Sequence, residues 1–218
     1  MITYKIITLS YSTINGCLQP HNSHNWLNKM YGLKSEDKAI YHEGKLAHDT
    51  IQGHVSGKRP HPDLVHIEYT FPIVEEVDFD RRCKFEFPVL HRDNNYNMIG
   101  FFDGLDKANG RYLEIKSSSS PWSLQKFQSL IQRKIYALSD PLLKEAICIS
   151  ATRDIEAWKM SPPKVFVVPV TEQDRKDAMK WILEGIKVLE SGKYDGGLDE
   201  NGKCVDRWCY FGVNCQFK

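Results

Sequence analysis

The dipeptide Asn109-Gly110 lies between two strand-like runs, Tyr96–Asp106 and Arg111–Ser117. Asparagine and glycine tolerate the positive φ angles of a two-residue type I′ turn, so the pattern predicts a tight β-hairpin in the middle of the chain. A hairpin of this kind fixes which side chains of its two strands share a face, because side chains alternate along each strand. The rest of the fold must therefore be built around this sheet.

The predicted hairpin brings acidic and basic side chains together. With a two-residue loop, Asp103 lies opposite Lys116 and Leu105 lies opposite Glu114. Diagonal neighbours on one face are about 7–8 Å apart, so the carboxylates of Asp103 and Glu114 can reach a common cation beside Lys116. Asp106 falls on the opposite face. The spacing therefore favours Asp103 over Asp106 as a ligand.

Two carboxylates beside a lysine suit one kind of chemistry. Carboxylates prefer hard cations such as Mg²⁺ or Mn²⁺, which lower the pKa of a bound water and neutralise charge on a phosphate. The lysine can orient or deprotonate that water. Taken alone, Asp103, Glu114 and Lys116 more often form a weak cross-strand ion pair on the surface, so further residues must decide.

The remaining pattern alternates helices and strands. Helical periodicity follows Ser35 as far as Val55, a Ser-Pro helix start precedes a long helix, and a Thr-x-x-Asp capping box opens the last helix. The predicted strands are His66–Phe71, Lys84–Phe87, Ala146–Ser150 and Val165–Val170, and the two later helices are Ser120–Ser139 and Thr171–Leu189. This order predicts an α/β fold of mixed α+β type, with a central mixed sheet flanked by helices.

Length and composition exclude several classes of protein. The chain has 218 residues and no linker-like segment, so we expect a single domain over 1–218. No apolar run is long enough to span a membrane, and no secretory signal opens the sequence, so a cytoplasmic protein is expected. The net charge of +1 argues against coating nucleic acid by charge alone but allows a local basic groove.

Four short motifs follow one another along the chain: Gly44–His48, Gly100–Asp103, Glu114–Lys116 and Gln132–Tyr136. Together, and in this order, they resemble the RecB-like branch of the PD-(D/E)xK superfamily of nucleases. The resemblance runs from about Ser10 to the last cysteines, and the joint pattern is far more specific than any single motif. It implies a restriction-endonuclease-like core.

The resemblance also implies roles for individual residues. His48, Asp103 and Glu114 would coordinate Mg²⁺ or Mn²⁺ with the main-chain carbonyl of Ile115, and Lys116 would position the water. Hydrolysis would then be a direct in-line attack on a phosphodiester. His48 alone, without the motif around it, is more often an ordinary histidine of a helix surface or of a capped core than a ligand.

Three more residues complete the predicted site. Gln132 and Tyr136 are four residues apart on a predicted helix, so both can face one groove and hold the substrate backbone or support Lys116. Trp122 follows the catalytic strand, where its ring would stack on an unpaired base or serve only as a hydrophobic staple of the next helix.

The cysteines form a one-plus-three pattern, with one near the start and three in the tail: Cys17, Cys204, Cys209 and Cys215. It resembles the iron-sulfur subgroup of these nucleases, which includes the CRISPR-associated exonucleases and the AddB family, and this implies a 4Fe-4S cluster joining 1–35 to 190–218. Four residues separate Cys204 from Cys209, where the subgroup usually has two. Zinc and unligated thiols remain alternatives.

Cys83 and Cys148 lie inside apolar strand-like runs and are expected to be small core residues without a function.

The function implied is that of a DNA exonuclease acting on single strands or ends, with some endonuclease activity as an option. An accessory nuclease that works with an integrase or recombinase, as in CRISPR or phage systems, is a second hypothesis. A non-catalytic DNA-binding scaffold is the third, and the intact set of Asp103, Glu114 and Lys116 argues against it.

Overall fold

A computed structural model describes residues 7–18, 48, 80–154, 159–161 and 163–191. The elements in order are β1 Ile7–Ser10, α1 Tyr11–Leu18, β2 Asp80–Arg81, β3 Lys84–His91, β4 Asn94–Phe101, β5 Gly104–Asp106, β6 Arg111–Ser118, α2 Leu124–Ser129, α3 Ile131–Ser139, β7 Glu145–Asp154, β8 Lys159–Met160, β9 Lys164–Pro169 and α4 Glu172–Ser191. Apart from His48, which is helical, the predicted helix after Ser35 and the strand His66–Phe71 lie outside the described residues.

The larger sheet is mixed. Within the described residues its strand order is β2-β5-β6-β7-β8, and β9 also pairs with β7. β6 runs antiparallel to β5 and parallel to β7, while β8 and β9 run antiparallel to β7. A second sheet has the order β1-β4-β3, with β1 parallel to β4. The predicted α+β fold with mixed sheets and helices is therefore confirmed.

The described residues fall into two compact units. One contains 7–18, 86–100 and 179–191, and the other contains 48, 80–85, 101–154, 159–161 and 163–178. In the second unit β6 is the central strand, and its residues Tyr112–Ile115 are all buried. Burial on both faces explains why its sequence is nearly continuous in apolar residues, with Glu114 as the exception. All predicted site residues with described side chains belong to this second unit.

The central hairpin has a longer loop than predicted. β5 pairs with β6 through Gly104–Leu113, Leu105–Tyr112 and Asp106–Arg111, which leaves the four-residue loop Lys107–Gly110. Gly110 alone in this loop has a positive φ, at 68°. A type I′ turn needs two such residues, so the predicted two-residue turn is wrong.

The altered loop also changes the predicted opposite pairs. Leu105 lies opposite Tyr112 instead of Glu114, and Asp103 lies just before β5 at the end of the ladder instead of opposite Lys116. The register is displaced by two residues, and a displacement by two keeps every side chain on its face. Asp103, Glu114 and Lys116 therefore still share one face, as predicted.

The long helix predicted over Ser120–Ser139 is two helices. The Ser123 side chain accepts a hydrogen bond from the Lys126 main-chain nitrogen and caps α2, so the helix begins after Ser123 and not at Ser120. Leu130 then has an extended main chain with φ −65° and ψ 114°, which ends α2 and starts α3. Gln132 and Tyr136 both lie on α3.

The last helix agrees with the sequence pattern. The Thr171 hydroxyl accepts from the Asp174 nitrogen, and Asp174 accepts from the Thr171 nitrogen, so the predicted capping box is confirmed. None of the helices in the described part of the chain is both long and apolar enough to cross a membrane.

Two predictions of burial hold only in part. β7 is a buried strand as expected, but Val167 of β9 is 54% exposed. Cys148 in β7 is buried, as predicted, whereas Cys83 before β3 is only half-buried. Among the described strands β9 pairs with β7 alone, which accounts for its partial exposure.

Candidate active site

Asp103 takes the place of a ladder partner for β6. The β5–β6 pairing stops at Gly104–Leu113, and the Ile115 nitrogen donates instead to Asp103 Oδ2 at 2.7 Å. The N–H and C=O groups of one strand residue point to the same side. The Ile115 carbonyl therefore points to the side of β6 on which Asp103 lies.

His48 contacts the other oxygen of the same carboxylate. Its Nε2 atom lies 3.2 Å from Asp103 Oδ1, and its side chain is 30% exposed. The predicted helical histidine and the hairpin aspartate, 55 positions apart in the sequence, are therefore neighbours in space. The site is open enough at His48 for solvent to reach it.

Glu114 is the most buried charged group of the site, at 2% exposure. Its Oε1 atom forms an ion pair with Lys116. Its Oε2 atom is buried and has no hydrogen-bond partner among the described residues. Burial raises the pKa of Glu114 and the charge of Asp103 adds to this, while the charge and hydrogen bond of Lys116 and the Tyr136 hydroxyl oppose it.

Lys116 is held by a chain of side chains. Its Nζ atom donates to Gln132 Oε1 at 2.9 Å, and Gln132 Nε2 donates to the Tyr136 hydroxyl at 2.7 Å. Burial by itself lowers the pKa of Lys116, but the charge and hydrogen bond of Glu114 and the charge of Asp103 raise it above the usual value. Of the two roles predicted for Gln132 and Tyr136, the contacts observed are those that support Lys116.

The Tyr136 ring belongs to an aromatic cluster under the site. Its neighbours are Phe85, Phe102 and Tyr112, with ring centroids 5.2–5.7 Å from that of Tyr136. Such edge-to-face contacts restrict the rings beyond simple burial. Phe102 precedes Asp103 and Tyr112 lies on β6, so the cluster links the two carboxylate-bearing segments to α3.

The Arg133–Asp174 ion pair and the hydrogen bond of Tyr112 with Arg133 support the site and were not predicted from the sequence. Arg133 is buried and donates from both terminal nitrogens to Asp174, at 3.1 and 2.5 Å, while the Tyr112 hydroxyl donates to the Arg133 carbonyl. This pair fixes α3 against the start of α4. The only signal in the sequence is an arginine next to Gln132, on a turn that otherwise packs into the core.

Cys148 lies on β7 in register with Glu114. Burial raises its thiol pKa to about 12, and the charge of Glu114 adds to the effect. The thiol therefore stays protonated and packs as a small side chain beside the carboxylate, as expected from the sequence.

The donor atoms suit a hard cation. Asp103 and Glu114 supply carboxylates, and the buried Glu114 Oε2 atom without a hydrogen bond is the kind of oxygen that a cation would satisfy. Within the described residues, no three His, Cys, Asp or Glu side chains are disposed as a metal-binding group. Mg²⁺ is nevertheless commonly held by one or two carboxylates with water completing its shell, so these two carboxylates fit it.

Trp122 lies in the segment between β6 and α2 and is half-buried. Its ring centroid is 5.6 Å from Lys116 Nζ and 4.3 Å from Lys126 Nζ. The ring therefore stands at the edge of the site.

The predicted cluster cysteines have no described geometry. The main chain of Cys17 lies in α1, but its side chain and all of Cys204, Cys209 and Cys215 lie outside the described residues. A metal at these four cysteines stays a prediction.

Comparison with known proteins gives a likeness of fold. No family model matches the sequence, and no curated protein matches it. A solved structure, the crystal structure of SSO0001, matches with a TM-score of 0.60 and 13% identity. The match covers 99% of this chain and 89% of SSO0001. At this identity the likeness concerns the fold, and the α+β architecture described above is shared over nearly the whole chain.

Proposed function

We propose that this protein is a metal-dependent deoxyribonuclease that acts on single-stranded DNA or DNA ends. The observation that carries the proposal is the buried Glu114 carboxylate. One of its oxygens pairs with Lys116, and the other has no hydrogen-bond partner within the part of the chain that the structure describes. A buried carboxylate in this condition is costly for stability unless it serves a ligand. Asp103 on the same face supplies the second carboxylate that a divalent cation needs.

The competing interpretation of Asp103, Glu114 and Lys116 is a weak ion pair on the surface of a hairpin. An exposed pair contributes little and tolerates solvent around both groups. Glu114 is 2% exposed, and burial raises its pKa, with the charge of Asp103 adding to the effect and Lys116 opposing it. The carboxylate is therefore under electrostatic strain that a surface pair would lack. This strain supports a catalytic site over an incidental contact or a scaffold.

Asp103 and Glu114 would hold Mg²⁺ or Mn²⁺ with water in the remaining positions. His48 and the main-chain carbonyl of Ile115 would join them only after a local rearrangement, because the three side chains are not disposed as a metal-binding group in the structure. The bound cation supplies a water of lowered pKa and neutralises charge on the phosphate. His48 contacts Asp103 and so also orients that carboxylate. The site holds two carboxylates close to one face of β6, where a phosphodiester could approach from the solvent side of His48.

Lys116 acts as a charged positioning group in this proposal. Its Nζ atom contacts Glu114 and Gln132, so the lysine is placed beside the carboxylates to orient the attacking water and to stabilise negative charge. Gln132 fixes the Nζ atom, and Tyr136 fixes the Gln132 amide. Both residues therefore act through Lys116.

The test is cleavage of end-labelled single- and double-stranded DNA with Mg²⁺, Mn²⁺ or EDTA. We expect metal-dependent cleavage by the wild-type protein and loss of about 100-fold or more in Glu114→Gln and Lys116→Ala, because each removes charge from the reacting centre. Lys107→Ala, in the exposed hairpin loop, is the matched control and should cleave normally. DNA binding without cleavage under every condition would instead support a scaffold.

A further inference from the structure

Trp122 is held in place by the start of α2. The Ser123 hydroxyl caps the helix by accepting from the Lys126 nitrogen at 3.1 Å, and the Lys126 ammonium then lies 4.3 Å from the Trp122 ring centroid. A lysine at this distance from an indole makes a cation–π contact. The segment that follows β6 therefore presents an aromatic ring and a flexible positive charge together.

The ring is also close to the candidate active site. Lys116 Nζ, which contacts Glu114 and Gln132, is 5.6 Å from the Trp122 ring centroid. Successive phosphates of one DNA strand are separated by about 3.4 Å along the helix axis and by more in an extended strand. A phosphate at Lys116 therefore brings the base of its own or an adjacent nucleotide within reach of the ring.

A purely structural role for Trp122 predicts a different contact. A hydrophobic staple joins the residue before the N-cap to the fourth residue of the helix, which here are Trp122 and Phe127. Phe127 is fully buried, whereas Trp122 is half-buried, and the ring contacts among described residues include none between them. The two lysine contacts instead leave the indole at the surface of the site.

We propose that Trp122 is the stacking subsite for one unpaired base next to the scissile phosphate. On binding, the base replaces the Lys126 ammonium on the ring, and Lys126 moves to the neighbouring phosphate. Lys126 is exposed and carries a flexible four-carbon stem, so this exchange needs no movement of the main chain. The inference rests on the proposed nuclease function and narrows its substrate to DNA with an unpaired base at this position.

Stacking on a protein ring selects single strands for a simple reason. Bases within a duplex already stack on one another and do not offer a free face to the indole. Base–aromatic stacking contributes about 5- to 150-fold in affinity for each base and depends little on sequence. Trp122 therefore favours single strands and frayed ends, without preference for a particular base.

The first measurement is binding of a fluorescein-labelled single-stranded oligothymidine in EDTA, which prevents metal-dependent cleavage. Trp122→Ala should weaken binding by about 5-fold or more, and Trp122→Phe should retain most of the affinity because it keeps an aromatic face. Leu124→Ala is the matched control, because Leu124 is an exposed apolar residue two positions away, at 44% exposure, and should bind as the wild type. Equal affinity of Trp122→Ala and wild type would overturn the subsite.

A second measurement leaves the protein unchanged. An abasic nucleotide is placed at successive positions of a single-stranded oligonucleotide, and wild-type cleavage is followed with Mn²⁺. We expect cleavage to slow by about 5-fold or more when the abasic position occupies the ring, and Trp122→Ala to show no such dependence. A wild-type profile that is indifferent to the abasic position also overturns the proposal.

Different results would overturn the nuclease function and the Trp122 stacking subsite. If wild type cleaves DNA, Lys116→Ala does not, and Trp122→Ala equals wild type on single strands, then the nuclease stands and the subsite is wrong. If wild type neither binds nor cleaves DNA, both are wrong. If wild type cleaves DNA, Lys116→Ala does not, and Trp122→Ala weakens single-strand binding by about 5-fold or more, both are supported.

Discussion

Asp103 and Asp106 are three residues apart, and their carboxylates have different partners. Asp103 contacts His48 and the Ile115 nitrogen at the candidate active site. Asp106 accepts from the Asn109 nitrogen and side chain and from the Arg111 guanidinium. Burial alone raises the pKa of Asp106, but these hydrogen bonds lower it by a larger amount. The pKa of Asp106 is therefore below its usual value. Asp106 is a structural carboxylate.

Asp106→Ala should therefore lower stability and spare the chemistry. Removing the carboxylate deletes its charge-assisted hydrogen bonds with Arg111 and Asn109, which lowers stability by about 1–3 kcal/mol. The free energy of unfolding from urea titration measures the loss, and the cleavage rate of the folded variant should match that of wild type. Asp103→Ala should show the reverse, with cleavage abolished. A folded but inactive Asp106→Ala would contradict this division.

The division between these two aspartates could be predicted because it depends on parity. Side chains alternate along a strand, so a register error of two residues left Asp103 on the face of Glu114 and Lys116. The loop length could not be predicted in the same way. Asn109-Gly110 is compatible with a type I′ turn, but the bonds from Asn109 and Arg111 to Asp106 stabilise the longer loop with one positive φ.

At the level of elements, α3 depends on a buried ion pair. Arg133 is 2% exposed and meets Asp174 through two hydrogen bonds, while Asp174 also completes the capping box of α4. Removing one partner of such a pair leaves a buried charge without compensation. Because α3 carries Gln132 and Tyr136, this pair also holds the residues that support Lys116.

The pair predicts a pH dependence of stability. Burial raises the pKa of Asp174, but the bonds from Arg133 and Thr171 lower it below its usual 3.8 in the folded protein. A carboxylate whose pKa is lower in the folded state stabilises the fold fully above its unfolded pKa of 3.8. This stabilisation is lost as the pH falls from 3.8 through the lower pKa of the folded protein. Urea titrations from about pH 7 down to about pH 3 measure the free energy of unfolding of wild type and of Asp174→Asn. The difference between the two should be constant above about pH 5 and should shrink below pH 3.8. A difference independent of pH would refute this.

Gly185 marks a close approach between α1 and α4. A Cβ atom at Gly185 would lie 2.2 Å from Ile14 Cγ2 and 3.2 Å from Ile14 Cβ, and Ile14 is fully buried. Gly185→Ala gains helix propensity of about 1 kcal/mol, but overpacking a buried branched side chain costs about 1–3 kcal/mol. We expect a net loss of stability by thermal unfolding.

A double-mutant cycle tests the cause. In an Ile14→Ala background the obstructing methyl group is absent, so Gly185→Ala should become neutral or stabilising. If Gly185→Ala is equally costly in both backgrounds, the close approach is not its cause.

The elements show which signals in the sequence are decisive. The capping box of α4 was predicted because Thr171 and Asp174 satisfy each other locally. The start of α2 could not be predicted in this way. Ser120 and Ser123 are both good caps, and the choice between them depends on placing Phe127 in the core. Tertiary packing of this kind leaves little trace in local sequence.

At the scale of the whole molecule, the cysteine pattern stays a prediction. Cys17, Cys204, Cys209 and Cys215 are expected to hold a 4Fe-4S cluster, or zinc instead. Anaerobic purification followed by iron, sulfide and zinc analysis distinguishes the two, and a brown protein with four iron atoms per chain, as a 4Fe-4S cluster requires, would support the cluster. Absence of both metals from a folded protein would reject a metal at these residues.

Metal binding at the active site should also be visible in the stability of the folded chain. A ligand that binds only the folded state stabilises it by about 2.7 kcal/mol at 100 times its Kd. For a domain of this size, that corresponds to a rise in Tm of about 5–10 °C. Mn²⁺ should therefore raise the Tm of wild type and EDTA should reverse the rise.

Glu114→Gln supplies the contrast, because it keeps the side-chain shape and removes the charge that would attract the cation. Its Tm should barely respond to Mn²⁺, whereas Glu172→Gln, at a side chain 81% exposed, should respond as wild type does. Because this measurement needs no substrate, it separates the metal site from the choice of DNA. Equal responses of wild type and Glu114→Gln would place the metal elsewhere and leave the strained Glu114 carboxylate without its proposed ligand.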